Sequence, residues 1–135
     1  MKKVLYVLHQ KTSVAGDVGN KFRERGYSEE IVRPPLGDKL PTDLSKYSAI
    51  VIFGGPMSVN DDDQFIKDEI KWMKKVVQSK IPFLGICLGA QILAKYLGCD
   101  VVKNENDHFK NLGCNMMISS VGIIRNISSI LNEIL

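Results

Sequence analysis

Of the three cysteines in the chain, Cys87, Cys99 and Cys114, the first stands in a pattern that could do chemistry. It is the centre of Gly85-Ile86-Cys87-Leu88-Gly89, placed after an apolar run and before a helix-compatible stretch. A Gly-x-Cys-x-Gly at a strand-to-helix bend is the setting a nucleophile elbow requires. Such a bend strains its central residue, and the flanking Gly85 and Gly89 leave room for it. The sulfur then projects at the top of the sheet. The positive end of the following helix faces it and stabilises negative charge there. The Leu88 N–H, unpaired in the first helical turn, can face a developing oxyanion. On these five residues alone, a tight turn carrying a buried cysteine is the competing reading.

A second segment, Gly54-Gly55-Pro56-Met57-Ser58, also follows an apolar run. Its glycines permit close approach of main chain to a ligand, and the Gly55 N–H is a candidate second oxyanion donor. Alone, the segment also reads as a plain tight turn. It lacks Gly-Lys-Ser/Thr and Gly-x-Gly-x-x-Gly, so nucleotide binding by that route is not expected. Cys99 and Cys114 show no zinc or redox spacing, and the odd count argues against a disulfide framework. They are expected as small buried apolar groups, with no metal and no organic cofactor.

These two segments need a frame. Residues 3–8 and 49–53 are apolar runs suited to strands covered on both faces, and 82–86 reads the same way. Residues 30–33 form a short strand ended by Pro34 and Pro35. Residues 14–25 are helix-compatible, stopped by Gly26. The clearest helix is 64–79, with Ile66, Ile70, Met73 and Val77 at helical spacing and Trp72 and Val76 widening the stripe. Asp61, Asp62 and Asp63 at its start and Lys74, Lys75 and Lys80 near its end suit the helix dipole. A helix at 88–97 closes at Gly98, and Val101 and Val102 begin a further strand. Repeated strand–helix–strand units predict an α/β domain, a doubly wound, flavodoxin-like parallel sheet with helices on both faces. Function in such sheets gathers at the carboxyl ends of the strands, where residues 54–60 and Cys87 lie. From Gly113 onward the pattern weakens. A strand at 118–124 and a helix at 127–135 are expected there, and residues 104–111 read as a loop.

Composition narrows the function classes. With a net charge of +3 and lysines interleaved with acids, no basic patch points to nucleic acid. No apolar run approaches a membrane span, and residues 4–8 are too few for a signal-peptide core. A soluble, cytoplasmic protein is the expectation, with neither nucleic acid nor membrane as partner.

The two segments together, in this order and on these elements, resemble the class I glutamine amidotransferases. The family's elbow reads Gly-x-Cys-x-Gly-x-Gln, and residues 85–91 read Gly-Ile-Cys-Leu-Gly-Ala-Gln. Residues 53–60, Phe-Gly-Gly-Pro-Met-Ser-Val-Asn, are similar to the family's oxyanion loop, especially that of the amidotransferase part of GMP synthase. The resemblance covers roughly residues 1–105. It implies a glutaminase that passes ammonia to a synthase subunit. By position, Cys87 would form the γ-glutamyl thioester, Gly55 and Leu88 would hold the oxyanion, and Gly54, Gly55 and Gln91 would meet bound glutamine.

The sequence departs from the family in one respect. The family's triad is completed by a downstream His-x-Glu, and the only histidines here are His9 and His108, each followed two positions on by a lysine. His9, at the end of the first strand, is expected to be structural or solvent-exposed, and His108 to lie in a loop. The reading is therefore a domain over residues 1–112 with its last part missing and an atypical tail over 113–135. A truncated or frame-shifted gene would explain it, as would a short form that pairs with another subunit. Little glutaminase activity is expected from the chain alone. Two other readings compete. One is a cysteine hydrolase on the same elbow, of the intracellular-peptidase or DJ-1 kind. The other is a non-catalytic domain that binds a partner through an uncovered sheet edge.

Overall fold

Alternation decides how the strands lie. In the first strand, Val4 and Tyr6 pack in one apolar cluster while Leu5 and Val7 pack in the other. Ala49 and Val51 divide from Ile50 and Ile52 in the same way. Every one of these side chains is fully buried, so the sheet is covered on both faces. The computed structural model describes residues 2–98 together with 100–103, 109–112 and 121–124. The elements run β1 (Lys3–Val7), α1 (Gly16–Glu24), β2 (Ser28–Val32), a 3₁₀ turn (Pro34–Leu36), β3 (Ala49–Ile52), α2 (Gln64–Ser79), β4 (Phe83–Ile86), α3 (Leu88–Tyr96), β5 (Asp100–Lys103), β6 (Phe109–Leu112) and β7 (Val121–Ile124).

The main sheet has the order β2-β1-β3-β4-β7. The first four strands are parallel, with Leu5 opposite Glu30 on one side and Ile50 on the other, and Ile52 opposite Gly85. Right-handed crossovers then dictate the layers. The chain steps outward from β1 to β2, and α1 covers one face through Phe22. From β3 to β4 it steps the opposite way, so α2 and α3 cover the other face through Ile66, Met73, Val76, Leu88 and Ile92. The step reverses between β1 and β3. That reversal is the switch point at which ligands of such sheets gather, beyond the carboxyl ends of the strands.

The α/β architecture and the helices on both faces match the sequence expectation, and α2 spans the expected 64–79. Two differences are informative. The fifth strand of the main sheet, β7, pairs antiparallel with β4, so the sheet is not parallel throughout. Of the strand expected at 118–124, the described part is β7, Val121–Ile124. Residues 109–111, expected in a loop, belong to β6, which forms an antiparallel pair with β5 apart from the main sheet. Residues 109–112 read Phe-Lys-Asn-Leu, without an apolar–polar alternation, so in isolation they look like a polar loop, and the strand is defined by its pairing with β5. Cys99, Cys114, His108 and the expected helix at 127–135 lie outside the described residues. Among the described residues, no helix is long and apolar enough to cross a membrane.

Candidate active site

The bend at Cys87 begins with a steric demand. β4 must hand over to α3 with no linker, because Ile86 ends one and Leu88 starts the other. Cys87 takes φ 50° and ψ −107°, a region that side-chain-bearing residues rarely occupy. Such strain persists only where surrounding structure enforces it, and two glycines show how. A Cβ on Gly89 would collide with the main-chain carbonyl of Ile52 in β3. A Cβ on Gly85 would stand 2.7 Å from the carbonyl group of Gly89. The first turn of α3 therefore rests directly on the main chain of β3 and β4. The result is an exposed sulfur at the carboxyl end of β4, next to the helix N-terminus. The first intrahelical bond, Gln91 N–H to Cys87 carbonyl at 3.1 Å, closes the turn behind it.

The loop after β3 approaches the same sulfur. A Cβ built on Gly54 would lie 3.2 Å from Cys87 Cβ and 3.8 Å from Cys87 Sγ. Only a bare main chain fits at Gly55, where a Cβ would lie 2.6 Å from Met57 Sδ and 2.9 Å from His9 Cβ. Farther along, the loop is tied down by its own polar residues. The Ser58 N–H donates to Asp61 Oδ2 at 2.9 Å, and Asn60 Nδ2 donates to the Val101 carbonyl at 2.7 Å. Lys95 Nζ on α3 reaches Asn60 Oδ1 at 3.2 Å. The loop is thus anchored to α3 and β5, with Gly54 against Cys87 and Gly55 against His9.

Gln91 follows one turn into α3 and is 8% exposed. Its Oε1 is buried and has no hydrogen-bond partner among the described residues. An unpartnered buried oxygen is costly unless something else supplies a donor.

His9 was expected to be structural or solvent-exposed, and of the two it is structural: buried and hydrogen-bonded within the fold. It continues the alternation of Leu5 and Val7 beyond the end of β1 and turns under the 54–55 loop. It is 2% exposed. Its Nε2 lies 2.9 and 3.0 Å from the two carboxylate oxygens of Glu69, and its Nδ1 lies 3.3 Å from the Gly54 carbonyl oxygen. Glu69 itself is completely buried in the middle of α2. The sequence carried a signal for it. Glu69 falls three residues after Ile66 and four before Met73, inside the apolar stripe, and an acid there needs a buried partner. Among the described residues no cluster of side chains suited to a metal ion occurs.

Residues 7–133 match the family described as glutamine amidotransferase class-I. The glutamine-hydrolysing GMP synthase of Flavobacterium psychrophilum is 36% identical over 72 residues, 53% of this chain and 13% of that protein. That of Wolinella succinogenes is 36% identical over 93 residues, 68% of this chain and 16% of that protein. The crystal structure of a glutamine amidotransferase from Thermotoga maritima superposes with a TM-score of 0.72 at 36% identity, covering 78% of this chain and 46% of that one. The chain therefore spans less than half the length of each of these relatives.

Proposed function

The chain belongs to the class I glutamine amidotransferase family, and from that premise we propose that Cys87 is the nucleophile of a glutamine-hydrolysing site. The observation that carries this reading is the approach of Gly54, first residue of the loop after β3, to the strained, exposed Cys87. In the proposed reaction Cys87 Sγ adds to the side-chain amide carbon of glutamine. The oxygen takes the negative charge and meets the N–H groups of Gly55 and Leu88. Collapse breaks the C–N bond, a proton is delivered to the nitrogen, and ammonia leaves. The γ-glutamyl thioester on Cys87 is then hydrolysed by water to glutamate. Gln91, with its unpartnered oxygen, is a fitting acceptor for an N–H of bound glutamine. A synthase subunit would take the ammonia.

The sequence contains no His-x-Glu after Cys87, and His9 is committed to Glu69 and Gly54. Among the described residues no further histidine is available to relay the proton to the leaving nitrogen, and loss of a triad member costs on the order of 10⁴-fold in related hydrolases. We expect glutamate release by the 135-residue chain to be close to that of its Cys87→Ser variant. Robust turnover that depends on Cys87 would show that a base is present after all.

A further inference from the structure

The proposed hydrolysis uses the N–H of Gly55 but leaves unexplained a completely buried acid and histidine directly beneath it. Burying both groups is expensive, and replacing such pairs by apolar residues is often neutral or stabilising. What they touch suggests why this chain carries them. His9 Nδ1 faces the carbonyl oxygen of Gly54. That carbonyl and the Gly55 N–H belong to one planar trans peptide unit and point in opposite directions. Holding the carbonyl toward His9 therefore turns the N–H away from His9.

We infer that His9 and Glu69 form a positioning pair that sets the direction of the Gly54–Gly55 peptide and so presents the Gly55 N–H to the oxyanion. This deepens the glutamine-hydrolysing reading and rests on it for the identity of the oxyanion. The pair suits the task. A carbonyl oxygen only accepts, so the His9–Gly54 contact is a hydrogen bond in which Nδ1 donates. Glu69 engages the opposite ring nitrogen with both carboxylate oxygens and holds the ring in the orientation that aims Nδ1 at Gly54. The loop itself cannot take over the role. Glycines at 54 and 55 make the peptide easy to rotate, and the space at Gly55 excludes any residue that would stiffen it.

The test needs no turnover. A chloroketone analogue of glutamine alkylates the sulfur by forming a C–S bond and expelling chloride, through an addition that places an oxyanion in the hole. Iodoacetamide alkylates the same sulfur by simple displacement and makes no such demand. The ratio of the two rates at Cys87, measured on the full chain, reports on the hole. The double variant His9→Phe with Glu69→Met keeps the packing but removes both charges and the donor. It should lower the ratio on the order of 10-fold or more, with the iodoacetamide rate unchanged. His9→Asn keeps a donor near the Nδ1 position and should retain most of the ratio. In parallel, the carbonyl ¹³C resonance of Gly54 should shift toward the value of an unbonded carbonyl in the double variant and much less in His9→Asn. A double variant that matches the wild type in the Gly54 resonance overturns the inference. So does one that shifts that resonance yet retains the ratio. A wild-type chain with no preference for the chloroketone over iodoacetamide, relative to free cysteine, overturns the glutamine reading instead. The Gly54 resonance then decides by itself whether the pair holds the peptide.

Discussion

Two polar groupings flank β1, one on each face of the sheet, and they follow opposite rules. On the α1 face, Tyr6 Oη donates to Glu29 Oε1 at 3.3 Å, and Arg23 reaches the same carboxylate at 2.8 and 2.9 Å. This grouping opens to solvent, since the Arg23 side chain is about half exposed. Around it the rings of Tyr6, Phe22, Phe53 and Tyr27 meet edge to face, a dry aromatic packing with its polar tips at the rim. Burial, reinforced by Glu29, pushes the Tyr6 hydroxyl well above the usual tyrosine range, so it stays a neutral donor at every ordinary pH. On the α2 face, the side chains of His9 and Glu69 are 0% exposed, and the His9 ring lies beside that of Phe65, centroids 6.3 Å apart. The first arrangement is what a fold does with polar groups it can leave at an edge. The second is placed where packing alone would have chosen leucine or methionine, directly under the loop that meets Cys87. The contrast teaches where to look for function in this sheet: at a fully buried polar pair, which packing against apolar neighbours does not call for.

The largest expected effect breaks the comparison at its centre. Glu69→Leu strands a buried histidine without its carboxylate and should lower unfolding free energy by about 3 kcal/mol or more. Glu29→Leu removes the ion pair with the half-exposed Arg23 and the long Tyr6 hydrogen bond, and should cost about 1–2 kcal/mol. Urea unfolding of both variants checks the difference. Equal losses would mean that the two groupings are energetically alike, and the buried pair would lose its special standing. Replacing both His9 and Glu69 by apolar residues should recover most of what Glu69→Leu loses, because no unpaired polar group remains.

A smaller effect separates the elbow from ordinary helix. In an exposed helix interior, glycine to alanine stabilises by about 1 kcal/mol. At Gly89 the new methyl meets the Ile52 carbonyl of β3, and a strand main chain in the middle of a sheet cannot retreat. The clash should win, giving a net loss of about 1–3 kcal/mol in Gly89→Ala. Cys87 would be displaced as α3 lifts, so its chloroketone labelling should fall more than its iodoacetamide labelling. A stabilised Gly89→Ala with unchanged labelling would show that the contact is looser than the geometry states.

How much of this was legible in the sequence depended on whether the cause was local. The helix at 64–79 was readable because its apolar stripe is periodic and its ends carry Asp63 and Lys80. The elbow was readable because a strand, two glycines and a helix within a few residues leave little alternative to a strained Cys87. The antiparallel placement of β7 beside β4 was not readable. A short run such as Val121–Ile124 pairs in either direction, and its partner lies far away in sequence. In the β5–β6 ribbon a strand at Val101 and Val102 was expected, whereas β6 was missed for a different reason, because residues 109–112 carry too little apolar pattern to be told from a loop. The His9–Glu69 pair was missed because each residue reads alone as polar. The pair exists only once the sheet and α2 bring positions 60 residues apart into contact.

The smallest expected effect sharpens the comparison from the solvent side. At the β2 edge, Glu30 accepts from Tyr47 Oη at 2.8 Å and stands 3.1 Å from Lys46 Nζ and 3.5 Å from Lys3 Nζ. The Tyr47 hydrogen bond, above all, holds the Glu30 carboxyl below its ordinary value, against a smaller opposing effect of burial. A carboxyl depressed in the folded state binds its proton more weakly than in the unfolded chain. Its contribution to stability is therefore complete above the ordinary glutamate range and is lost as pH falls through the depressed folded value. Tyr47→Phe should cost least at low pH and most at pH 7. With about a third of the Glu30 side chain exposed, solvent screening limits the pH-dependent part to less than about 0.5 kcal/mol. Urea midpoints of wild type and Tyr47→Phe at pH 7 and pH 3 measure it, and added salt should shrink the contribution of the two lysines further. A gap between the two proteins that is the same at both pH values would mean that the tyrosine acts through packing alone. The rim of the sheet would then hold its polar groups for shape, and the contrast with the buried pair would be wider still.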